Sequence, residues 1–309
     1  MGSATARHRY AQFVVVFAAF VIFAGAMVTS TGSGMAVPDW PQSFGTWMPP
    51  MQGGVFYEHG HRMLAGTLAV LVTVLAFWSW VSESRGWARA ISWGAFIAVL
   101  IQAALGGLTV LLGTFNNWDH TDPVMSTLHA STAQALFALL VTYAVVSAPG
   151  WASQAPRRPA SLGLAGKAAW LPILVYAQIV VGATMRHQHA GLIIYDFPLS
   201  YGHIIPPFYN GLVALNFAHR VGAWAVFFAS WALGLKVLRD PESDPWVRWP
   251  AKLLLMAVSA QFLLGASAVW TKLTMPALTS THVLGGSVVF TTSLVLALRL
   301  RRLATPALP

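Results

Sequence analysis

Of the 309 residues, 56% are hydrophobic and only 9% charged, whereas a soluble domain carries about 25% charged residues; the chain reads as an all-α integral membrane protein. It has no cysteine, which excludes a disulfide, an Fe–S cluster and a thiolate metal site. A net charge of +9 would suit nucleic acid, but the basic residues are distributed as a membrane protein distributes them, and no nucleic-acid partner is expected.

A helix needs about 20 apolar residues to cross the hydrocarbon core. Eight such runs occur, near 10–30, 62–82, 91–113, 125–147, 166–186, 212–237, 250–271 and 279–299. The first follows Arg7 and Arg9 and ends near Ala24–Ala26, as a cleaved leader would. It is long for a leader core and has a counterpart in the fifth run, so it is read as a retained span. Pro172 falls inside the fifth run and is expected to kink it. With the N-terminus inside, 14 of the 18 Lys and Arg residues lie in cytoplasmic segments. Only Arg62, Arg186, Arg220 and Lys272 fall on the other side. The positive-inside rule then places both termini in the cytoplasm.

The chain is a tandem duplication. "DWPQSFGTWMPP" from Asp39 and "DFPLSYGHIIPP" from Asp196 lie 157 residues apart. "GAMVTS" at Gly25 and "GATMRH" at Gly182 keep that offset, and "HRMLAG" at His61 answers "HRVGAW" at His219. "QAALGG" at Gln102 matches "QFLLGA" at Gln261, and His129 matches His282. Repeats in this order imply two four-helix halves, residues 1–147 and 166–309, with a cytoplasmic linker over 148–165. Each half holds an even number of spans, so the two bundles are expected to relate by a pseudo-two-fold along the membrane normal. The outer loops near 31–60 and 187–211, rich in Gly, Pro and aromatics, read as caps over the bundle ends, with shorter loops at 114–124 and 272–278.

The repeat singles out four histidines near the outer face: His61 and His219 heading the second span of each half, His129 and His282 heading the fourth. Ionisable groups in spans are rare and usually functional. Two imidazoles from different helices of one bundle suit the axial positions of a haem iron. Zinc is the rival, but it prefers three or more protein ligands with a carboxylate or thiolate among them; plain hydrogen-bonding histidines are the bland alternative. Arg62 and Arg220 follow the first histidine of each pair, and a guanidinium there suits a haem propionate. Glycines such as Gly66, Gly106, Gly107, Gly222 and Gly285 allow close approach of helices or a flat ring.

The halves differ at one polar position. Glu58 precedes His61 by three residues, and its counterpart is Asn216. A carboxylate beside iron can shuttle protons or position water, so Glu58 marks the first half as the candidate for chemistry. His59 is taken as a loop residue, His120, His187, His189 and His203 as solvated loop histidines, and His8 as part of the cytoplasmic tail. Asp39 and Asp196, each followed by aromatic-Pro, read as turn formers.

These residues resemble a known family. Glu58, His61 and Arg62 in "EHGHR", the four placed histidines, the eight spans in two halves and the "VPDWPQSFG" loop together are similar to a bacterial, cysteine-free member of the haem A synthase family. The resemblance covers essentially the whole chain. It implies an oxidoreductase that oxidises a methyl group of haem O to the formyl group of haem A, in the bacterial plasma membrane with haem sites near the outer face. It implies that His61 and His129 face the substrate haem, that Glu58 serves the oxidation, and that His219 and His282 are axial ligands of a haem B that relays electrons. Haem O synthase and a terminal oxidase are the implied partners, with an electron donor in the membrane; homo-oligomerisation is left open. Some members carry a cysteine pair in the outer loops, and this chain does not. Two other functions remain compatible with the residues: a di-haem cytochrome b-type electron carrier, and a haem-delivery or oxidase-assembly protein without catalysis.

Overall fold

A computed structural model of the chain describes residues 2–116, 120–151 and 158–304. Residues 152–157 of the expected linker, including Arg157, and 117–119 of the short outer loop lie outside the described residues.

Among the described residues there are eight α-helices: α1 (Gly2–Ser30), α2 (Gly54–Ser82), α3 (Gly86–Phe115), α4 (Pro123–Val146), α5 (Leu162–His187), α6 (Gly211–Arg239), α7 (Pro245–Trp270) and α8 (Pro276–Ala304). All eight are long and apolar enough to cross a membrane. Several begin earlier than the apolar runs, because polar capping residues start them. Asp122 accepts from the Met125 N–H at 2.7 Å ahead of Pro123, and Asp244 accepts from the Trp246 N–H at 2.8 Å ahead of Pro245. Asn210 takes the Leu212 and Val213 N–H groups. Such caps satisfy amides that the helix itself leaves open. Pro172 lies inside α5, which runs on through it.

The described residues form two compact units, those up to 149 with 274–284, and those from 150 to 273 with 285–304. In the first, α1 packs on α2 and α4, and α3 packs on the same two, so the four helices close a ring. In the second, α6 packs on α5 and α7. The inner part of α8 lies on α5 through Phe290 against Tyr176, and on α7 through Arg299, which donates to the Trp246 carbonyl at 2.7 Å.

Small residues are frequent among the buried positions, beside Val and Leu such as Val72, Leu75, Leu140 and Leu254. Ala11, Ala18, Ala76, Ala88, Ala95, Ser79, Ser92 and Ser126 face inward in the first unit, and Ala168, Ala251, Ser230, Ser287 and Ser293 in the second. Large side chains such as Phe13, Phe20, Trp80, Leu100, Trp170, Phe228 and Leu263 point outward. An outer surface this apolar suits lipid rather than water. In lipid, where burying apolar surface gives helices no drive to associate, close packing of small residues holds them together.

Each unit is capped by its long loop. In the first, Trp40 packs onto Gly107 of α3, where a Cβ would come within 2.9 Å of the indole, and Thr114 donates to the Pro38 carbonyl. In the second, the equivalent Phe197 packs on Phe262 and Trp270 of α7. Asp39 turns its loop by accepting from the Phe44 and Gly45 N–H groups at 2.7 and 2.9 Å. Asp196 does the same for Tyr201 and Gly202 at 2.7 and 2.8 Å. Phe44 and Tyr201 both have φ of 55°. That is a left-handed conformation costly for a side-chain-bearing residue, held here by the aspartate turn. Both aspartates are the turn formers the sequence suggests.

Candidate functional site

The site of the first unit is built on the opening turns of α2. The helix starts at Gly54, eight residues ahead of the apolar run, so Glu58, His59, His61 and Arg62 are all helical. His59 is therefore not a loop residue. It is 4% exposed, and its Nδ1 sits 2.8 Å from the Ser43 hydroxyl of the cap. Its place ahead of the apolar run suggested a loop; the early start of α2 and a buried serine partner reverse that.

Glu58 is equally buried. Its Oε2 accepts from the Val37 N–H at 2.9 Å, and its Oε1 accepts from Arg62 Nη2 at 2.5 Å. Arg62 in turn donates to three cap carbonyls, Asp39 (2.6 Å), Gln42 (3.0 Å) and Val37 (3.2 Å). The second unit repeats the three carbonyl contacts at equivalent positions. Arg220 donates to Asp196 (2.7 Å), Leu199 (2.9 Å) and Ile194 (2.7 Å), and through Nε to Asn216 Oδ1 (2.9 Å). Asn216 Nδ2 donates to the Ala190 and Gly191 carbonyls. Both arginines thus clamp their caps, and the Glu58/Asn216 difference falls inside the clamp. A buried guanidinium is stable only when such acceptors surround it. Outside the spans, desolvation pushes the Asp39 carboxyl up, but the Gly45 and Phe44 N–H groups and the Arg62 charge outweigh it and hold it below its usual range. Gly202, Tyr201 and Arg220 do the same to Asp196.

The histidine rings rest on glycines of neighbouring helices. A Cβ on Gly25 of α1 would lie 2.8 Å from His61 Cε1, and one on Gly106 of α3 would lie 3.2 Å from His129 Cε1. In the second unit Gly182 of α5 seats His219 at the same 2.8 Å. Gly25 and Gly182 mark the repeat in sequence, but only the structure gives them this task. His61 comes from α2 and His129 from α4, which are opposite members of the first ring. His282 lies on α8, one turn before Gly285. His187 ends α5, while His120, His189 and His203 are exposed.

Two glutamines lie against the rings; Gln102 marks the repeat in sequence without a role, and Gln178 is not singled out there. Gln178 of α5 lies 2.9 Å from His219 Nδ1 and donates to the His219 carbonyl at 2.7 Å. The Gln102 amide of α3 satisfies its neighbours when its nitrogen faces His129 Nδ1 (3.1 Å) and the His129 carbonyl (3.2 Å), and its oxygen takes the Thr132 hydroxyl and the Ala133 N–H. The available signal was a single polar side chain inside an apolar run.

The donor set fits a haem iron. Two half-buried imidazoles face inward from opposite helices, and the Nδ1 of His61 is a buried polar atom with no hydrogen-bond partner. Among the described residues no three His, Asp or Glu side chains gather as a metal-ion cluster, which does not suit zinc.

The fold and the site define a class: an eight-span membrane protein whose helix bundle carries inward-facing histidines beneath an arginine-clamped cap. The chain belongs to the COX15-CtaA family, described as cytochrome oxidase assembly protein, whose model matches residues 51–294. Curated relatives include a protein named Heme A synthase from Symbiobacterium thermophilum, 35% identical over 251 residues, which cover 78% of each chain. Others of the same name come from Alkalihalophilus pseudofirmus, 27% identical over 85% of this chain and 87% of the relative, and from Geobacillus kaustophilus, 29% identical over 83% and 80%.

Proposed function

We propose that this chain is a membrane oxidoreductase that converts haem O to haem A, oxidising a porphyrin methyl group to a formyl group. The observation that carries the reading is the pair His61 and His129, set on opposite helices of one ring and each laid against a glycine. Family membership and the relatives' printed name support the reaction.

In this reading the first half takes the substrate haem between His61 and His129. The second half holds haem B through His219 and His282, which occupy the equivalent places in the duplication. Haem iron, when bound, supplies the redox chemistry. The protein's own part is to hold, orient and exclude water. His61 and His129 offer ring nitrogens from opposite sides. The cap, fixed by Arg62 and closed over α3 by Trp40, shields the site. Glu58 keeps a carboxylate one turn from His61 and is the candidate to hold or pass a proton, acting from a position where both oxygens already bind. Arg62 and Arg220 contribute to haem binding by holding the caps in place, with their Nη donors given to loop carbonyls. The basic residues put the termini in the cytoplasm and the capped ends outside. A prenylating haem O synthase would supply the substrate and a terminal oxidase would take the product.

A di-haem electron carrier is the second reading. It is favoured by one observation: Glu58 and Asn216 both hold an arginine and a cap, so their difference has a structural role without chemistry.

The test is the haem content of membranes from a host that makes haem O, with and without the chain, the extracted haems being identified by mass. Haem A appearing only with the chain is the expected result. Haem B bound to the chain, with haem O untouched while electrons are supplied, would overturn the enzyme reading.

A further inference from the structure

The two halves also differ at the end of each bundle away from its cap. In the first half, rings close the seam between α1 and α2. Tyr10 and Trp78 lie 5.6 Å apart, Phe13 leans on Tyr10, and the Tyr10 hydroxyl donates to the Leu71 carbonyl at 3.0 Å. The step from Gly25 to Gly182 carries Tyr10 to Lys167 and Phe20 to Ala177 on α5. The step from His61 to His219 carries Trp78 to Lys236, Leu71 to Ala229 and Val74 to Ala232 on α6. Large side chains thus give way to two lysines and three alanines. A groove of about 690 Å³ opens between α5 and α6, lined by all five, with the buried Leu171 and Leu233 also in its wall.

The groove has the depth of one leaflet. From Lys167 to Ala177 α5 rises about 15 Å, half of a hydrocarbon core about 30 Å thick. Lys167 stands in the second turn of α5 and Lys236 in the last turn of α6, so both long side chains can reach the headgroup level. Both are exposed, and among the described residues neither makes an ion pair. Asp240, one turn further along α6, accepts from the Glu242 N–H at 2.9 Å. Two ammonium groups in one groove repel each other, and an anion between them turns that repulsion into attraction.

We propose that the α5–α6 groove is a binding site for an anionic phospholipid, with its phosphate between Lys167 and Lys236 and an acyl chain laid along the three alanines. A basic residue near a membrane surface favours an anionic lipid by about fivefold, so the two lysines together favour it by about 30-fold. The first half has no such site, because Tyr10 and Trp78 fill the place of the lysines. The groove lies on a face that the haem reading does not use, so the lipid site stands independently of that reading.

The test uses the purified full chain in phosphatidylcholine bilayers that carry a trace of phosphatidylglycerol with a photoreactive acyl chain. The labelled peptides are mapped, and unlabelled phosphatidylglycerol is added in competition. Label is expected on α5 and α6 along the groove, with little there from a photoreactive phosphatidylcholine. Lys167→Gln with Lys236→Gln, both at exposed positions, should raise the competitor needed for half-displacement by about 30-fold, and Lys167→Arg with Lys236→Arg should not. Ala177→Phe with Ala229→Leu, which restores the side chains of the first half, should remove the groove label from both lipids. Equal labelling of the groove by the two lipids, or unchanged competition in the double glutamine variant, would overturn the proposal. So would an unlabelled groove whose α5 and α6 cross-link to a second copy of the chain.

Discussion

Glu58 and Arg62 pair at 2.5 Å one turn apart on α2, and both are tied to the cap above them, Glu58 to the Val37 N–H and Arg62 to three carbonyls. Two substitutions separate clamp from chemistry. Glu58→Ala is expected to fold, to keep the second-half haem and to make no haem A. Glu58→Gln retains an oxygen for Arg62, as Asn216 does for Arg220. If Glu58→Gln is also inactive, the charge matters; if it makes product at the normal rate, Glu58 is a clamp and no more. Haem extraction with mass identification decides between them.

The two clamps are unequal in charge, and their removal should differ. Arg62→Ala strands a buried carboxylate, a loss of the kind that costs about 3–5 kcal/mol. Arg220→Ala leaves only the neutral Asn216 behind and should cost less. Thermal unfolding in detergent, with protease cleavage mapped to residues 37–42 and 194–199, would show the larger effect at Arg62. Equal effects would mean that the carboxylate does not depend on its partner.

His219→Ala and His282→Ala should each abolish the low-spin haem spectrum of the purified chain while leaving the protein in the membrane. An unchanged spectrum in either variant would remove that histidine from the ligand set.

At the opposite end of the first bundle Glu83 accepts from Arg7 at 2.7 Å and from Arg85 at 2.8 Å. Its hydrogen bonds with Arg85, against the cost of burial, hold its carboxyl down to about 2. Because the folded value is depressed, this stabilisation is complete above the ordinary carboxylate range and fades as pH falls from there towards 2. Melting temperature against pH should therefore drop more steeply for the wild type than for Glu83→Gln across that window. Parallel curves would rule the cluster out as a source of acid sensitivity.

Hydropathy made the eight spans legible, and the repeat picked out four histidines from ten. What it could not show was where α2 begins. Glu58, His59, His61 and Arg62 depress any apolar average, yet Glu58, His59 and Arg62 are satisfied by the cap. His59 was misread for that reason: its partner, Ser43, is 16 residues away across a loop whose fold no periodicity encodes. The ring glycines were visible only as small residues. That Gly25 receives an imidazole and Gly222 an amide depends on which helix lies opposite, a fact of packing rather than of pattern.

The reach of the arginine clamps has a further consequence. Arg62 finds its carbonyls 20 to 25 residues back along the chain, and Arg220 finds its own 21 to 26 residues back. Contacts so close in sequence form early. Each clamp can form as soon as its own second helix leaves the ribosome and enters the bilayer, and the lid then waits only for the third helix of its own half, on which Trp40 or Phe197 packs. A half-length ancestor would already have possessed a finished lid, so doubling the gene copied a part that worked alone.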